Sequence, residues 1–327
     1  MKFMDTSFSA SPAAGALGYA PSAAGLGELA ANQPGGQWIP EMLPAAAKLR
    51  DILVPYNAVI QHAAVAASGT NNIASAIQIG QWPFLWTTLH VGSSEGDQPG
   101  DEGFSFLLSD ESVGHAFMSD RIMSRNLMSN GPIVLPVPWL FREGATIRSE
   151  VENYDTANAL TAFVTLGGWL VEPNIAAGQW DAITGLREFL GSPWGYPLGG
   201  DLGESQSPLP FYFNVRSASM AASATATQDP AFTVGGRPFD WLQWSATPEA
   251  GTAGIRVSIR DSQSRQGFST GNGGNDRIPS IPLMEHGPIQ LPFPYRLDRG
   301  YSLATTMENL DTGAPRFGRV TFGGVLI

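Results

Sequence analysis

Residues 131–171 read GPIVLPVPWLFREGATIRSEVENYDTANALTAFVTLGGWLV, and residues 287–327 read GPIQLPFPYRLDRGYSLATTMENLDTGAPRFGRVTFGGVLI. The two stretches align without a gap at an offset of 156 residues, and 16 of the 41 positions are identical. Chance would give roughly two to four identities at ordinary composition. A repeat of this length is typical of a duplicated domain rather than of a short solenoid unit.

Weaker matches extend the repeat towards the N-terminus of each copy. Residues 55–59 resemble residues 211–215 at the same offset, and residues 104–110 resemble residues 255–261 at an offset of 151. The offset changes only across loops rich in glycine and proline. The repeated unit is therefore about 120 residues long, close to the usual size of one domain.

The repeat divides the chain of 327 residues into four parts. We expect an N-terminal arm with a short helix at 1–50, a first β-sandwich at 51–172, a linker with a short helix at 173–206, and a second β-sandwich at 207–327. This organisation places the two sandwiches in tandem.

Each copy has the pattern of a β domain. Residues 255–260 alternate apolar and polar side chains, and Phe104, Phe106 and Leu108 alternate in the same way in the first copy. A period of two is typical of strands with one buried face. With seven or eight short strands in each copy, the sequence predicts an all-β fold of two tandem duplicated, jelly-roll-like β-sandwich domains.

Eight repeated positions are predicted to serve the fold. The first glycine of each copy supplies a positive φ in a turn, the asparagine and aspartate bond the local backbone, and the later glycine marks a bulge or a close backbone approach. These positions are Gly144, Gly300, Asn153, Asn309, Asp155, Asp311, Gly167 and Gly323.

The first 39 residues, rich in alanine, glycine, serine and proline, are predicted to form an extended arm that is disordered in the isolated chain. Their sparse large side chains suit docking on a neighbouring subunit, so deleting residues 1–39 should weaken assembly and leave both sandwiches folded. The docking residues are Phe3, Phe8, Leu17, Tyr19, Leu26 and Leu29. The two short helices are predicted at 40–53 and 181–190, outside the repeats.

Composition excludes several classes of function. Lys+Arg is 18 against Asp+Glu 29, a net charge of −11, which argues against direct binding of nucleic acid or of an acidic membrane surface. No apolar run reaches the length of a membrane span. There is no cysteine, so disulfides, thiolate metal sites and cysteine nucleophiles are absent. Beyond Lys48 every cation is arginine, which genome composition or an extensive interface would explain.

No catalytic, cofactor or metal site is predicted. Residues 267–271 match the GxSxG nucleophile motif, but the glycine-rich residues that follow cannot begin the required helix, so Ser269→Ala should leave function unchanged. The acidic loop 95–102 is interpreted as a solvated loop rather than a Ca²⁺ site. Structural or surface roles are expected for the four histidines, which are His62, His90, His115 and His286.

Tryptophans raise the possibility of sugar binding. Trp82, Trp86, Trp241 and Trp244 surround one strand in each copy, and their spacing is not strict alternation. Aromatic side chains on an exposed face would form a platform for a carbohydrate. Packing in the core is the favoured interpretation.

The second copy ends in Pro-Phe-Pro-Tyr-Arg-Leu-Asp-Arg-Gly at 292–300, a β-rich run, and Val-Thr-Phe-Gly-Gly-Val at 320–325. This pattern resembles bacteriophage virion proteins. The tandem architecture is similar to that of double jelly-roll capsid proteins of tailless icosahedral viruses.

The resemblance implies a non-enzymatic virion component, located in the particle, that forms a homo-oligomer or lattice with itself and other virion proteins. A major capsid, cement, minor head or tail-associated role stays open. The alternatives are a carbohydrate-binding adhesin or receptor-binding module that uses exposed aromatics, and a hydrolase that uses the GxSxG loop.

Overall fold

The computed structural model describes residues 53–93, 103–127, 132–171, 199–200, 208–249, 254–268, 277–280 and 288–327. The strands of the first half are β1 (Leu53–Val65), β2 (Thr70–Gln78), β3 (Phe84–Ser93), β4 (Phe104–Asp110), β5 (His115–Ala116), β6 (Ile122–Met123), β7 (Ile133–Phe141), β8 (Thr146–Asn153) and β9 (Leu160–Val171). A short strand, β10 (Gly199–Gly200), follows. The strands of the second half are β11 (Leu209–Arg216), β12 (Thr225–Thr233), β13 (Phe239–Pro248), β14 (Ile255–Asp261), β15 (Ile278–Pro279), β16 (Ile289–Leu297), β17 (Ser302–Asn309) and β18 (Gly318–Leu326).

The described residues contain one helix, α1, which spans Ser124–Leu127 and was not predicted from the sequence. The two predicted helices and the N-terminal arm lie outside the described residues, except that Leu53 begins β1 rather than ending a helix. The predicted linker contributes β10, a strand that the sequence did not indicate.

Each half consists of two facing sheets with the same strand order. The first half has the orders β1-β9-β3-β7-β10 and β2-β8-β4-β5, with β6 also on β4, and the second half has β11-β18-β13-β16 and β12-β17-β14-β15. Counted within a half, the main strands run 1-8-3-6 in one sheet and 2-7-4-5 in the other, which is the jelly-roll arrangement. The predicted all-β sandwich fold is confirmed.

The strand registers define which residues of the two halves are counterparts. Tyr56 pairs with Gly168 in the first half, and Phe211 pairs with Gly324 in the second. The counterpart of Tyr56 is therefore Phe211, at an offset of 155, and the sequence alignment of 55–59 with 211–215 is wrong by one residue. The error matters because a slip of one residue moves every side chain of a strand to the opposite face.

The core of the first half is a closed aromatic cluster between its two sheets. Trp86 packs edge-on against Phe117 at 5.1 Å between ring centroids, and Phe117 packs in the same way against Trp139 at 5.5 Å. Phe141 lies within 6 Å of both Trp86 and Phe117. All four side chains are fully buried, which fixes the two sheets in one relative position.

The repeated glycine pairs lie where two neighbouring strands approach closely. A Cβ on Gly168 would stand 1.9 Å from the carbonyl oxygen of Leu85, and a Cβ on Gly324 would stand 2.0 Å from that of Asp240. Both positions face the same irregularity in register, after Trp86 in β3 and after Trp241 in β13. Only glycine permits this contact. At the earlier turns, Gly144 and Gly300 have φ angles of 71° and 83°.

The repeated asparagines organise equivalent turns in the two halves. Asn153 donates from Nδ2 to the carbonyl oxygens of Val65, Ala66 and Asn158, and its Oδ1 accepts from the backbone N–H of Asp155. Oδ1 of Asp155 accepts in turn from two backbone N–H groups, those of Ala157 and Asn158.

The same network surrounds Asn309 and Asp311 in the second half. The hydrogen bonds lower the pKa of both aspartates, Asp155 and Asp311. The contacts explain these side chains as elements of the fold.

Candidate assembly surface

The two halves are joined by a backbone pairing between the segment after β5 and strand β11. The N–H of Tyr212 donates to the carbonyl of Phe117 at 3.0 Å, and the N–H of Ser119 donates to the carbonyl of Tyr212 at 2.9 Å. Met118 and Tyr212 form the corresponding parallel bridge. The first half therefore adds a short strand to the edge of a sheet of the second half.

Buried polar side chains extend this contact. Asn214 of β11 donates from Nδ2 to the carbonyl of Arg121 at 2.6 Å. Thr321 of β18 accepts from Nδ2 of Asn126 in α1 at 2.8 Å and donates to Oδ1 of Asn214 at 3.2 Å. Two of these bonds, from Asn214 to Arg121 and from Asn126 to Thr321, cross from one half to the other and satisfy buried donors.

A buried ion pair lies at the centre of the contact. Nε of Arg319 donates to Oε1 of Glu249 at 2.6 Å, and its two terminal nitrogens donate to the carbonyl of Arg121 and the hydroxyl of Tyr154, both at 2.8 Å. Arg319 belongs to the second half and Tyr154 to the first. Burial raises the pKa of Tyr154 to about 12, so the hydroxyl remains protonated and donates to Glu152.

Apolar side chains complete the contact. Val137 of β7 packs with Leu242 of β13 and Val325 of β18, and all three are buried. Leu209 and Tyr212 of β11 belong to the hydrophobic core of the first half rather than to that of the second. The contact has the buried apolar centre of a stable interface, and we call it the internal seam.

The internal seam makes the burial of equivalent strands unequal. Strands β13 and β18 are buried along almost their whole length on both faces, whereas their counterparts β3 and β9 carry partly exposed residues on the outer face. Strand β7 is buried at eight of its nine positions, whereas its counterpart β16 is buried only at Leu297. At the seam, the second half buries the outer face of β13 and β18, and the first half buries β7. The equivalent faces, on β3 and β9 in the first half and on β16 in the second, are exposed or partly exposed.

Exposed hydrophobic side chains mark these two open surfaces. Phe293 of β16 is 78% exposed, whereas its counterpart Val137 is completely buried. Val59 of β1 is 48% exposed, at the position where Asn214 contacts the first half. Four of the seven large exposed hydrophobic residues of the described chain lie on the two surfaces, and they are Val59, Phe268, Phe293 and Tyr295. We call the outer face of β1, β3 and β9 the front surface. We call the exposed side of β16, together with Phe268, the back surface.

An apolar groove runs beside β16 on the back surface. It has a volume of about 290 Å³, and eleven residues line it, among them Trp241, Phe268, Leu291 and Tyr295. Every lining side chain is apolar or aromatic. In the first half, the counterparts Trp86, Phe117, Leu135 and Trp139 are buried instead.

The structure places the other candidate residues as follows. Trp86, Trp241 and Trp244 are buried and Trp82 is half-buried, and His62 is buried beneath β9. Ser269, His286, the acidic loop 95–102 and the six docking residues of the arm lie outside the described residues. Within the part of the chain that is described, no group of three or more His, Asp or Glu side chains could hold a metal ion, and no helix is long and apolar enough to span a membrane.

Sequence reasoning missed the seam and both open surfaces. The signal was present at positions where the copies differ in chemistry, such as Val137 against Phe293 and Tyr154 against Leu310. Because these positions are not identical in the two copies, they are not part of the pattern that predicted the fold.

No family model matches the chain, and no curated protein matches it. Among solved structures, it is similar to a chain in the atomic structure of Sulfolobus turreted icosahedral virus, with a TM-score of 0.38 and 9% identity over 83% of this chain and 90% of that chain. It is also similar to the CBM22-1-CBM22-2 tandem domain of Paenibacillus barcinonensis Xyn10C, with a TM-score of 0.14 and 9% identity over 84% and 93% of the two chains. Similarity at this level assigns no function.

Proposed function

We propose that this chain is a non-enzymatic structural subunit of a virion, a capsid or capsid-associated component of a bacteriophage, that assembles by joining the back surface of one copy to the front surface of the next. The observation that carries the proposal is the pairing of surfaces. The two open surfaces are the counterparts of the two surfaces that already bind each other at the internal seam. A contact between copies would therefore repeat a contact that the chain makes within itself.

Such a contact joins two different surfaces, so it is heterologous. Heterologous contacts generate closed rings or open filaments, whereas a single isologous contact stops at a dimer. The repeated sandwiches suit this geometry because each half presents the same framework to its neighbour, and we infer that the halves arose by tandem duplication. The virion part of the proposal rests in addition on the resemblance in architecture to double jelly-roll capsid proteins, which is an argument by analogy of fold.

The chemistry of the proposed contact differs from that of the internal seam. The counterpart of Arg319 is Phe163, and the counterpart of Tyr154 is Leu310. The ionic centre of the seam would thus be replaced by an apolar pair between copies. An apolar contact is insensitive to salt, since no exposed charge pair is screened.

The test uses two variants of the full chain, Phe293→Asp on the back surface and Val59→Asp on the front surface. The wild type should form oligomers in light scattering at micromolar concentration, and each variant alone should be a monomer. An equal mixture of the variants should form a dimer, because each variant retains the surface that the other lacks. Phe317→Asp is the matched control, since Phe317 is 37% exposed and lies on neither surface.

Three outcomes would contradict the proposal. They are a monomeric wild type, a Phe293→Asp variant that assembles like the control, and a mixture that stays monomeric. Specific glycan binding by a monomeric wild type would instead favour the adhesin alternative.

A further inference from the structure

Strand β7 of the first half has a neighbour for which β16 shows no equivalent among the described residues. Gly199 and Gly200 of β10 pair in parallel with Trp139 and Leu140, so that β10 forms the edge of the sheet. In the second half, β16 is the last strand of its sheet among the described residues. A strand edge with unpaired backbone groups is a template for another strand.

The covering strand β10 comes from the chain that leads into the internal seam. Gly199 lies ten residues before Leu209, where β11 begins, and β10 and β11 are in contact. One continuous segment therefore pairs with the edge of β7 and then passes into the strand that binds the first half.

The proposed contact between copies presents the same segment at the same place. The counterpart of Leu209 is Val54 in β1, and the ten residues before Val54 begin at Pro44. The counterparts of Trp139 and Leu140 are Tyr295 and Arg296 in β16. A neighbouring copy bound at the back surface would thus bring its residues 40–52 alongside the open edge of β16.

The sequence of that segment suits the apolar groove. Residues 40–52 read PEMLPAAAKLRDI, with Met42 and Leu43 preceding the position that faces Tyr295. The small alanines 45–47 allow close approach of two backbones.

We propose that residues 40–52 of one copy dock along the edge of β16 in the next copy, with Met42 and Leu43 in the groove lined by Trp241, Phe268 and Tyr295. This inference rests on the proposed function, because the segment reaches β16 only when the front and back surfaces meet. It identifies which part of the chain before β1 docks, and where.

The test places a photo-crosslinker, p-benzoylphenylalanine, at Tyr295 of the full chain. The residue is aromatic, so the substitution retains the character of the groove. Nitrogen-15-labelled and unlabelled chains are mixed as monomers, concentrated until they assemble, irradiated and digested, and the cross-linked peptides are identified by mass spectrometry. Labelled peptides joined to unlabelled ones report contacts between copies.

We expect cross-links between copies from position 295 to peptides within residues 40–52. Replacing Met42 and Leu43 by serine should reduce these cross-links at least tenfold, and replacing Phe3 and Phe8 by serine should leave them unchanged. The crosslinker at Phe317, an exposed aromatic residue on neither surface, should not reach the segment.

Cross-links from position 295 that stay within one chain, or that join copies only through β1, β3 or β9, would overturn the inference while the light-scattering oligomer survives. A chain that remains monomeric would overturn the proposed function and the inference together. The two failures are therefore distinguishable.

Discussion

Strands β7 and β16 occupy the same place in the two sandwiches and have opposite surroundings. They share Leu135 with Leu291, Pro136 with Pro292 and Pro138 with Pro294, yet β7 is buried and β16 is exposed. The identical residues serve the strand itself, since both strands pair with the same neighbour in the same register. The residues that differ reflect what covers each strand.

The differing residues change in a consistent direction. Val137 is covered by the second half and fully buried, whereas its counterpart Phe293 is 78% exposed. Trp139 is buried in the core of its own half, whereas its counterpart Tyr295 is 38% exposed. Large exposed aromatic residues are unusual on a surface that stays in water and common at interfaces. Equivalent positions therefore serve the internal seam in one half and, in the proposed assembly, the contact between copies in the other half.

The largest expected effect concerns a feature that the two halves share, the close approach of two strands at the repeated glycine pairs. Gly168→Ala and Gly324→Ala each place a Cβ within 2.0 Å of a backbone carbonyl oxygen, which cannot move without separating two strands. We expect each substitution to lower the free energy of unfolding by more than about 4 kcal/mol. Urea unfolding followed by tryptophan fluorescence measures the loss.

The turn glycines provide the matched control. Gly144→Ala and Gly300→Ala introduce a methyl group into open space at a positive φ, and each should cost about 1 kcal/mol. Equal losses at the turns and at the glycine pairs would show that the close approach is not what requires glycine.

The sequence predicted those features that both copies share. The sandwich class and the residues Gly144, Asn153 and Gly167 were all visible as identities at one offset. The alignment of residues 55–59 with residues 211–215 was wrong by one residue, because so short a stretch matches almost as well after a shift of one position. The internal seam is a contact between the copies, so its residues differ between the aligned sequences and are not among the identities that predicted the fold.

The second prediction concerns the centre of the seam, where the halves differ. Arg319→Met removes three donors from a buried site and leaves Tyr154 and the carbonyl of Arg121 without this partner. We expect a loss of about 3 kcal/mol. Phe163→Met at the counterpart position should cost less than about 1.5 kcal/mol in the same urea titration.

A double-mutant cycle sharpens this result. Tyr154→Phe added to Arg319→Met should cost less than the sum of the two single losses, because the two side chains share one hydrogen bond across the seam. Additive effects of the two substitutions would show that this hydrogen bond does not couple the halves.

The third prediction returns to a shared feature of intermediate size. Asn153→Ala and Asn309→Ala each remove the bonds that join a turn to the end of a neighbouring strand, at a cost of about 2 kcal/mol for buried carbonyls left unpaired. Because the four hydrogen bonds of Asn153 match those of Asn309, the two losses in thermal unfolding should agree within about 1 kcal/mol, the accuracy of such comparisons. A larger difference would mean that the turns are equivalent in geometry but not in energy.

The smallest expected effect is a difference between the two halves in the pH dependence of their stability. His62 of β1 is fully buried, and burial lowers its pKa below 6.5, whereas its counterpart is Ser217, directly after β11, which cannot titrate. The unfolded chain therefore binds a proton that the folded first half excludes, so stability falls as the pH drops below about 6.5, by at most about 1.4 kcal/mol per pH unit. Hydrogen exchange measured between pH 7 and pH 5, corrected for the intrinsic rate, should show the protection of first-half strands decreasing relative to that of second-half strands. The difference should disappear in His62→Ser and persist in His90→Ser, since His90 is exposed. A pH response that His62→Ser leaves intact would place its origin in groups other than this histidine.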